Sequence, residues 1–301
     1  MVMSDATIAP PPVARKRNAA WVLRELLRRP RSAFGLTVIV LMVGAAVLAP
    51  WIMPYDPNDQ MFDGLSLEGA PLPPSAKFWL GTDLLGRDLF SRLILGTQTS
   101  LIIGVLANGI AVVLGATVGI TAGYFGGWIG GVLMRFTDLM MAFPALLLAI
   151  VLAAIFKPSL LIVALVIAMV NWVQMARVLY TETRSLAQRE FIDVQRAIGS
   201  STWRILGRHI FPHLVYSIIV FGTLGISTTV LLEATLSYLG VGVQPPTPSW
   251  GNIIFENQTY FANAPWLVFF PGLAIVLLAL SFNLLGDVLR DTLDPKLKGR
   301  H

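Results

Sequence analysis

Arg189-Glu-Phe-Ile-Asp-Val-Gln-Arg-Ala-Ile-Gly-Ser-Ser-Thr-Trp-Arg-Ile-Leu-Gly-Arg-His-Ile-Phe-Pro212 is the longest polar, periodic stretch standing between two very apolar segments of this chain. Phe191, Val194 and Ile198 recur at helical spacing, with Glu190, Asp193, Gln195 and Arg196 on the other faces. Gly199-Ser200-Ser201 interrupts that helix, because glycine accepts the left-handed conformation of a C-cap and serine is a good N-cap for a second helix. Trp203, Leu206 and Ile210 then fall on one side of that second short helix, and Arg204 and Arg208 on another. Pro212 stops it and serves as the first residue of the next. Two short amphipathic helices joined at a glycine make a rigid knob suited to a membrane surface.

The flanks of the knob set the class of the protein. The chain has 301 residues, 55% of them hydrophobic and 13% charged, with a mean hydropathy of +0.70. A soluble globular protein is about a quarter charged, so most of this chain belongs in lipid. Six apolar blocks succeed one another: Ala33 to about Met53, Leu101–Ala122, Val132–Phe156, Leu160–Leu179, Leu214–Leu239 and Trp266–Gly286. Each is near or above the ~20 residues a helix needs to cross the hydrocarbon. The spacing predicts an all-α membrane protein with six transmembrane helices and both termini on one side. A basic run before the first block also resembles a signal peptide, but Pro50 comes directly after the only suitable small residue, Ala49, so the block reads as a retained helix.

Basic residues orient the bundle. With the N-terminus cytoplasmic, 18 of the 22 lysines and arginines lie inside, and only Lys77, Arg87, Arg92 and Lys157 lie outside. The expected layout is a cytoplasmic basic tail over 1–32, a first helix over 33–54 and an extracytoplasmic loop over 55–97. A five-helix core over 98–290 comes next, carrying the knob at 189–212 and an outer loop at 240–265, then a cytoplasmic tail over 291–301. The net charge of +5 thus sits at the membrane face against anionic lipid, and a nucleic-acid role is set aside.

Several other positions carry chemistry. Glu233 sits inside an apolar block, where a carboxylate costs a few kcal/mol and faces the bundle interior or water. Two readings stay open for it: a gate or substrate contact, or a hydrogen-bonding post for neighbouring helices. Asp138, at the cytoplasmic end of its helix, reads as solvated or paired with Arg135. Asn171 and Trp172 interrupt an apolar run and are candidates for lining a path. Gly115, Gly119 and Gly123 recur every four residues, with Gly127 and Gly131 beyond, a spacing that lets helices approach closely within one chain. Met140, Met141, Met169 and Met175 read as packing.

Absences narrow the field. The chain has no cysteine, no Gly-Lys pair and therefore no phosphate-cradling P-loop, no Gly-x-Ser-x-Gly elbow, and only three histidines in no metal-binding arrangement. An intramembrane enzyme using Asp138 with Glu233 would need carboxylates from opposite faces. A self-contained channel or secondary transporter accounts for neither the knob nor the absence of repeated halves.

The knob also carries a resemblance. Asp193-Val194-Gln195, three residues to Gly199, nine residues to Arg208, then His209-Ile210-Phe211-Pro212 resembles the cytoplasmic signature of ABC-importer permeases. That signature reads Glu-Ala-Ala, three residues, Gly, nine residues, an apolar residue, any residue, Leu and Pro. Asp193, Val194-Gln195, His209 and Phe211 depart from it, while Gly199 and Pro212 match. Leu80-Gly-Thr-Asp-Leu-Leu-Gly-Arg-Asp-Leu-Phe-Ser-Arg92 resembles the extracytoplasmic signature of the dipeptide/oligopeptide/nickel branch, although Gln98 stands where that branch usually has Arg. Glu233 to Gly251, with Pro245, Pro246 and Pro248, is similar to the end of helix five and the outer loop of the C-type (second) subunit.

The resemblance implies a type I importer architecture and a role in moving di- or oligopeptides, or, with the same architecture, nickel chelates, glutathione or another small solute. It implies a related permease as heterodimer partner, two ATPase subunits and an extracytoplasmic solute-binding protein. ATP and Mg would be bound by the ATPases, with no cofactor and no catalysis in this chain, in a bacterial cytoplasmic (inner) membrane. Glu190, Phe191, Asp193, Val194, Ala197, Ile198, Gly199, Ser200, Trp203, Leu206 and Pro212 would form the ATPase-docking knob. Gly81, Thr82, Asp83, Gly86, Arg87, Asp88, Ser91 and Arg92 would be mainly structural, with Thr82 or Asp83 capping a helix and Arg87 and Asp88 solvated.

Overall fold

A computed structural model describes residues 19–157 and 159–293. Arg15, Lys16, Arg17, Pro158 and most of the C-terminal tail, Lys296, Lys298 and Arg300 included, lie outside the described residues. All long elements are helical: α1 (Ala19–Arg28), α2 (Pro30–Val47), α3 (Ala49–Ile52), α4 (Leu89–Phe125), α5 (Gly127–Ala142), α6 (Ala145–Ile155), α7 (Leu160–Ala187), α8 (Glu190–Ala197), α9 (Thr202–Ile205), α10 (Phe211–Tyr238), α11 (Trp250–Asn257) and α12 (Trp266–Leu293). Extended pairing among the described residues is limited to two isolated bridges in the long polar loop.

Among the described residues, five helices are long and apolar enough to cross a membrane as continuous rods, and α5 with α6 reaches that length and apolarity only as a pair bent by 90°. The expected single helix over Val132–Phe156 is therefore broken. Phe143 is extended at φ −89°, ψ 133°, the conformation forced on a residue preceding proline. Pro144 also offers no N–H to the turn before it, so hydrophobicity is continuous where the backbone is not.

The second span also starts earlier than its apolar block suggests. α4 runs from Leu89, so the outer loop ends at Asp88 rather than near residue 97. Asp88 caps it by accepting from Ser91 N at 2.8 Å. Arg92, Thr97, Thr99 and Ser100 then enter the helix buried, because each finds a partner inside the protein.

α4 and α7 make the most extensive helix pair, and glycine is the reason. A Cβ added at Gly115 or Gly119 would lie 2.6 Å from Trp172 O or 2.5 Å from Ala176 O, and one at Gly123 2.7 Å from Thr183 Cβ. The seam stops there: around Gly127 and Gly131 the same position is open. α6 covers the other side of α7, with Ala149 and Ala153 against Val163 and Ile167. Leu101, Val230, Trp250 and Leu278 join α4, α10, α11 and α12 in a second cluster.

One end of the bundle brings together the first and last described helices. Leu26 of α1 packs with Val288 and Leu289 of α12 and Val220 of α10, and Arg29 lies 3.6 Å from Asp291. The knob comes after α7 at the same end, where Ile192, Ile205 and Ile210 pack against Ile120 and Tyr124 of α4.

Replacing Gly119 with Leu is expected to destabilise the protein by about 1–3 kcal/mol through overpacking of the α4–α7 seam. Gly131→Leu, in open space, is expected to be neutral. Thermal unfolding in detergent compares the two, and equal stability of both variants would remove the seam as the packing determinant.

Candidate functional site

The knob is built as two caps back to back. Gly199 adopts φ +76°. Its N–H donates to Arg196 O at 3.0 Å, and Ser200 N donates to Gln195 O at 3.0 Å, the paired bonds of a Schellman motif. Ser200 Oγ also donates to Gln195 Oε1 at 2.9 Å. Ser201 caps the second helix, its Oγ accepting from Arg204 N at 3.4 Å. Tyr124 lies beneath the Arg196 guanidinium, 5.5 Å from ring centre to Cζ, and Asp193 accepts from the same guanidinium at 3.1 Å.

Pro212 does not stop the second helix. Thr202 to Tyr238 is one apolar rod, interrupted by a π turn at Leu206–Ile210, where Phe211 N reaches back to Leu206 O. Proline lacks the donor for an ordinary turn and crowds the carbonyl four residues back, and the wider π turn absorbs both effects. Knob and fifth span are therefore one body.

The knob buries a different apolar row from the one that recurs in the sequence. The buried anchors are Ile192, Ile205 and Ile210, all at 1% exposure or less. Ile192 sits about 100° or more around the helix from the row Phe191–Val194–Ile198. That row faces outward: Val194 is 57% exposed, Ile198 68% and Trp203, on the next helix, 84%. Phe191 is half-covered by the His213 ring at 5.9 Å, and Leu206 packs at the edge of the anchor cluster. Glu190, Asp193 and Ala197 are exposed, and Ser200 is half-buried. The only local sign of the anchors is that all three are isoleucines, which is too weak to select them.

At the opposite end, the residues expected to be solvated are buried. Asp83 Oδ2 accepts from Arg87 Nε at 2.6 Å and lies 3.4 Å from Arg92 Nε. Glu256 Oε2 of α11 accepts from both Arg87 Nη2 and Arg92 Nη2 at 2.7 Å. Arg92 and Asp83 are wholly buried, so this network is shielded from water in a way that surface pairs are not. Neither Thr82 nor Asp83 caps the helix. Thr82 Oγ1 instead bridges Gly64 O and Leu72 N, while Asp83 Oδ1 accepts from Leu85 N and Arg87 N. Gly81 and Gly86 take φ +84° and +74° to close the loop, and Ser91 Oγ donates to Asp88 at 2.7 Å. Glu256 lies 164 residues beyond Arg92 and has no charged neighbour in sequence, so no local pattern pointed to it. Nearby, Lys77 hydrogen-bonds Asp63 and holds that exposed carboxyl below its usual range.

Glu233 is fully buried and accepts from Ser100 Oγ at 3.0 Å and Ser237 Oγ at 2.8 Å. Each serine in turn accepts a backbone N–H, Ser100 from Trp250 N at the start of α11 at 3.4 Å and Ser237 from Val243 N of the loop before it at 3.0 Å. In this arrangement Glu233 is the post that ties α4, α10 and that loop together. Trp172 is also buried, stacked on Phe136 at 6.0 Å, while half-buried Asn171 donates to Thr229 at 3.1 Å. Asp138 is paired with Arg177 of α7, not with Arg135. Arg177 lies 39 positions away in sequence but beside α5 in the bundle.

Glu256→Gln is expected to lower stability by about 3 kcal/mol, since it leaves two buried guanidiniums sharing the single carboxylate of Asp83. Asp63→Asn, at an exposed pair, is expected to leave stability unchanged. Unfolding transitions in detergent would show it, and a Glu256→Gln protein as stable as its parent would mean the network is not holding α11.

The chain was compared with known proteins. Residues 111–299 match the family described as binding-protein-dependent transport system inner membrane component, and residues 20–74 match the N-terminal TM domain of oligopeptide transport permease C. The glutathione transport system permease protein GsiD of Escherichia coli is 43% identical over 261 residues, covering 87% of this chain and 85% of that protein. GsiD of Pectobacterium atrosepticum is 41% identical over 299 residues, covering 97% of each. Among solved structures, the MetNI methionine ABC transporter in inward-facing conformations aligns with TM-score 0.53 at 17% identity, over 68% of this chain and 98% of that one, which shows a shared fold. The helical bundle, its matched segments and these relatives together place the chain in the binding-protein-dependent transport system inner membrane component family, as a multi-pass, C-type permease of a bacterial inner-membrane ABC importer.

Proposed function

We propose that this chain is the second of two related permeases in an importer for small peptides, with its basic end cytoplasmic, and that its knob transmits the work of two ATPase subunits. The carrying observation is the outward row Val194, Ile198 and Trp203 on a body whose opposite side is anchored by Ile192, Ile205 and Ile210. A large exposed tryptophan on a rigid mount has the character of a binding hot spot. Because Thr202 to Tyr238 is one rod, a push on the knob is delivered straight to the fifth span, and the spans switch access as rigid bodies.

ATP and Mg belong to the partner ATPases in this reading, supported by the absence of any Gly-Lys pair here. Substrate arrives from a solute-binding protein at the end held by Asp83, Arg87, Arg92 and Glu256. Glutathione is a small peptide, and two relatives are glutathione transport system permease proteins, so it is the first solute to test alongside di- and oligopeptides.

Trp203→Asp and Gly199→Pro are expected to lower uptake at least about tenfold while the protein still inserts. The first puts a charge into the contact, and the second imposes φ near −65° on a residue at +76°. Uptake into proteoliposomes, ATPase rate and ATPase retention in pull-down are the measurements. Normal uptake with the ATPase retained in both variants would refute the docking role.

A further inference from the structure

A cavity of about 710 Å³ opens between α7, α10 and α12 at the end of the bundle that carries the knob. Its walls change character along the membrane normal. On α7 they run from Leu186 through Glu182 to Val178, with Arg189 just past that helix's end, and on α10 from His213 through Ser217 to Val220 and Phe221. From Leu186 to Val178 is a rise of ~12 Å along α7 at 1.5 Å per helical residue. The cationic groups therefore sit at the mouth, Glu182 lies midway bonded to Ser217, and Val178, Val220 and Phe221 lie deepest, the polarity of an amphiphile lying parallel to the helices.

The mouth is basic. Arg189 and Arg290 line it, and neither makes an ion pair with a described carboxylate. The acidic groups nearby are otherwise placed. Glu182 lies about two turns deeper and accepts from Ser217 Oγ at 2.7 Å. Asp291 pairs with Arg29 at 3.6 Å, and Asp287 lines a separate pocket with Arg29 and Arg31. His213 is held by Phe191 and by His209 O at 2.7 Å, and Tyr216 OH donates to Arg290 O at 3.1 Å, which fixes the rim.

We propose that this cavity binds one anionic phospholipid, its phosphate between Arg189 and Arg290 and an acyl chain against Val178, Val220 and Phe221. Basic pockets between transmembrane helices suit anionic headgroups, at about 1 kcal/mol per arginine near the surface. Arg189 is also the residue that opens α8, so the lipid ties the knob to α12. The site does not depend on what the knob docks to.

The full-length chain, purified from membranes and exchanged into nanodiscs of phosphatidylcholine with one quarter phosphatidylglycerol, is the material for the test, read by native mass spectrometry. Arg189→Gln with Arg290→Gln is expected to lower phosphatidylglycerol retention by roughly 30-fold, two arginines at the stated value. Arg189→Lys with Arg290→Lys is expected to retain it, which separates charge loss from misfolding. Val220→Trp is expected to abolish retention with both arginines in place. Arg24→Gln with Arg28→Gln, basic and on α1 away from the cavity, is expected to change nothing. The proposal is overturned if the α1 pair lowers retention equally, if Val220→Trp keeps the lipid, or if millimolar inorganic phosphate displaces it, since that would make the site one for a free anion.

Discussion

The close approach of α4 and α7 is the contact on which the rest of the bundle depends. Apolar burial cannot hold two helices together in lipid, where the surrounding tails are as apolar as leucine. What remains is backbone contact over a surface without side chains, and Gly115, Gly119 and Gly123 supply it against Trp172, Ala176 and Thr183. α4 is 37 residues long, so the helix that carries this seam also reaches the end opposite the knob. Its first turns carry Arg92 into the outer ion network, and its last turns place Tyr124 under the knob.

The polar groups obey the same solvent argument. Where water is absent, each buried donor or acceptor needs a protein partner. Arg92 finds Glu256, Glu233 finds Ser100 and Ser237, and Asn108 Nδ2 finds Gly222 O at 2.7 Å. These bonds join elements far apart in the chain. They convert a costly group into a positional constraint, which is why the outer loop and α11 sit in one place over the bundle.

The two ends are consequently built for different tasks. The end opposite the knob is a dense network of hydrogen bonds, with Gly81 and Gly86 in left-handed conformations and Asp83 accepting from Leu85 N, Arg87 N and Arg87 Nε. The knob end is stiff inside but open outside, with isoleucines facing the bundle and Trp203 facing away. A single rod from Thr202 to Tyr238 connects the open end to the loop that Glu233 holds.

Periodicity, charge asymmetry and glycine spacing determined that this is a helical membrane protein, where its apolar blocks lie and where the knob turns. Those features are local, or are counts over whole segments, and they survive without knowledge of neighbours. The Gly199 turn was legible because only its own φ decides it. Which apolar row of the knob is buried, that α5 and α6 form a bent pair, that Arg177 rather than Arg135 pairs with Asp138, and that Glu256 closes the outer network were decided by the tertiary structure alone. Each depends on a partner contributed by a different element, and pairing across 164 residues leaves no periodic trace in sequence.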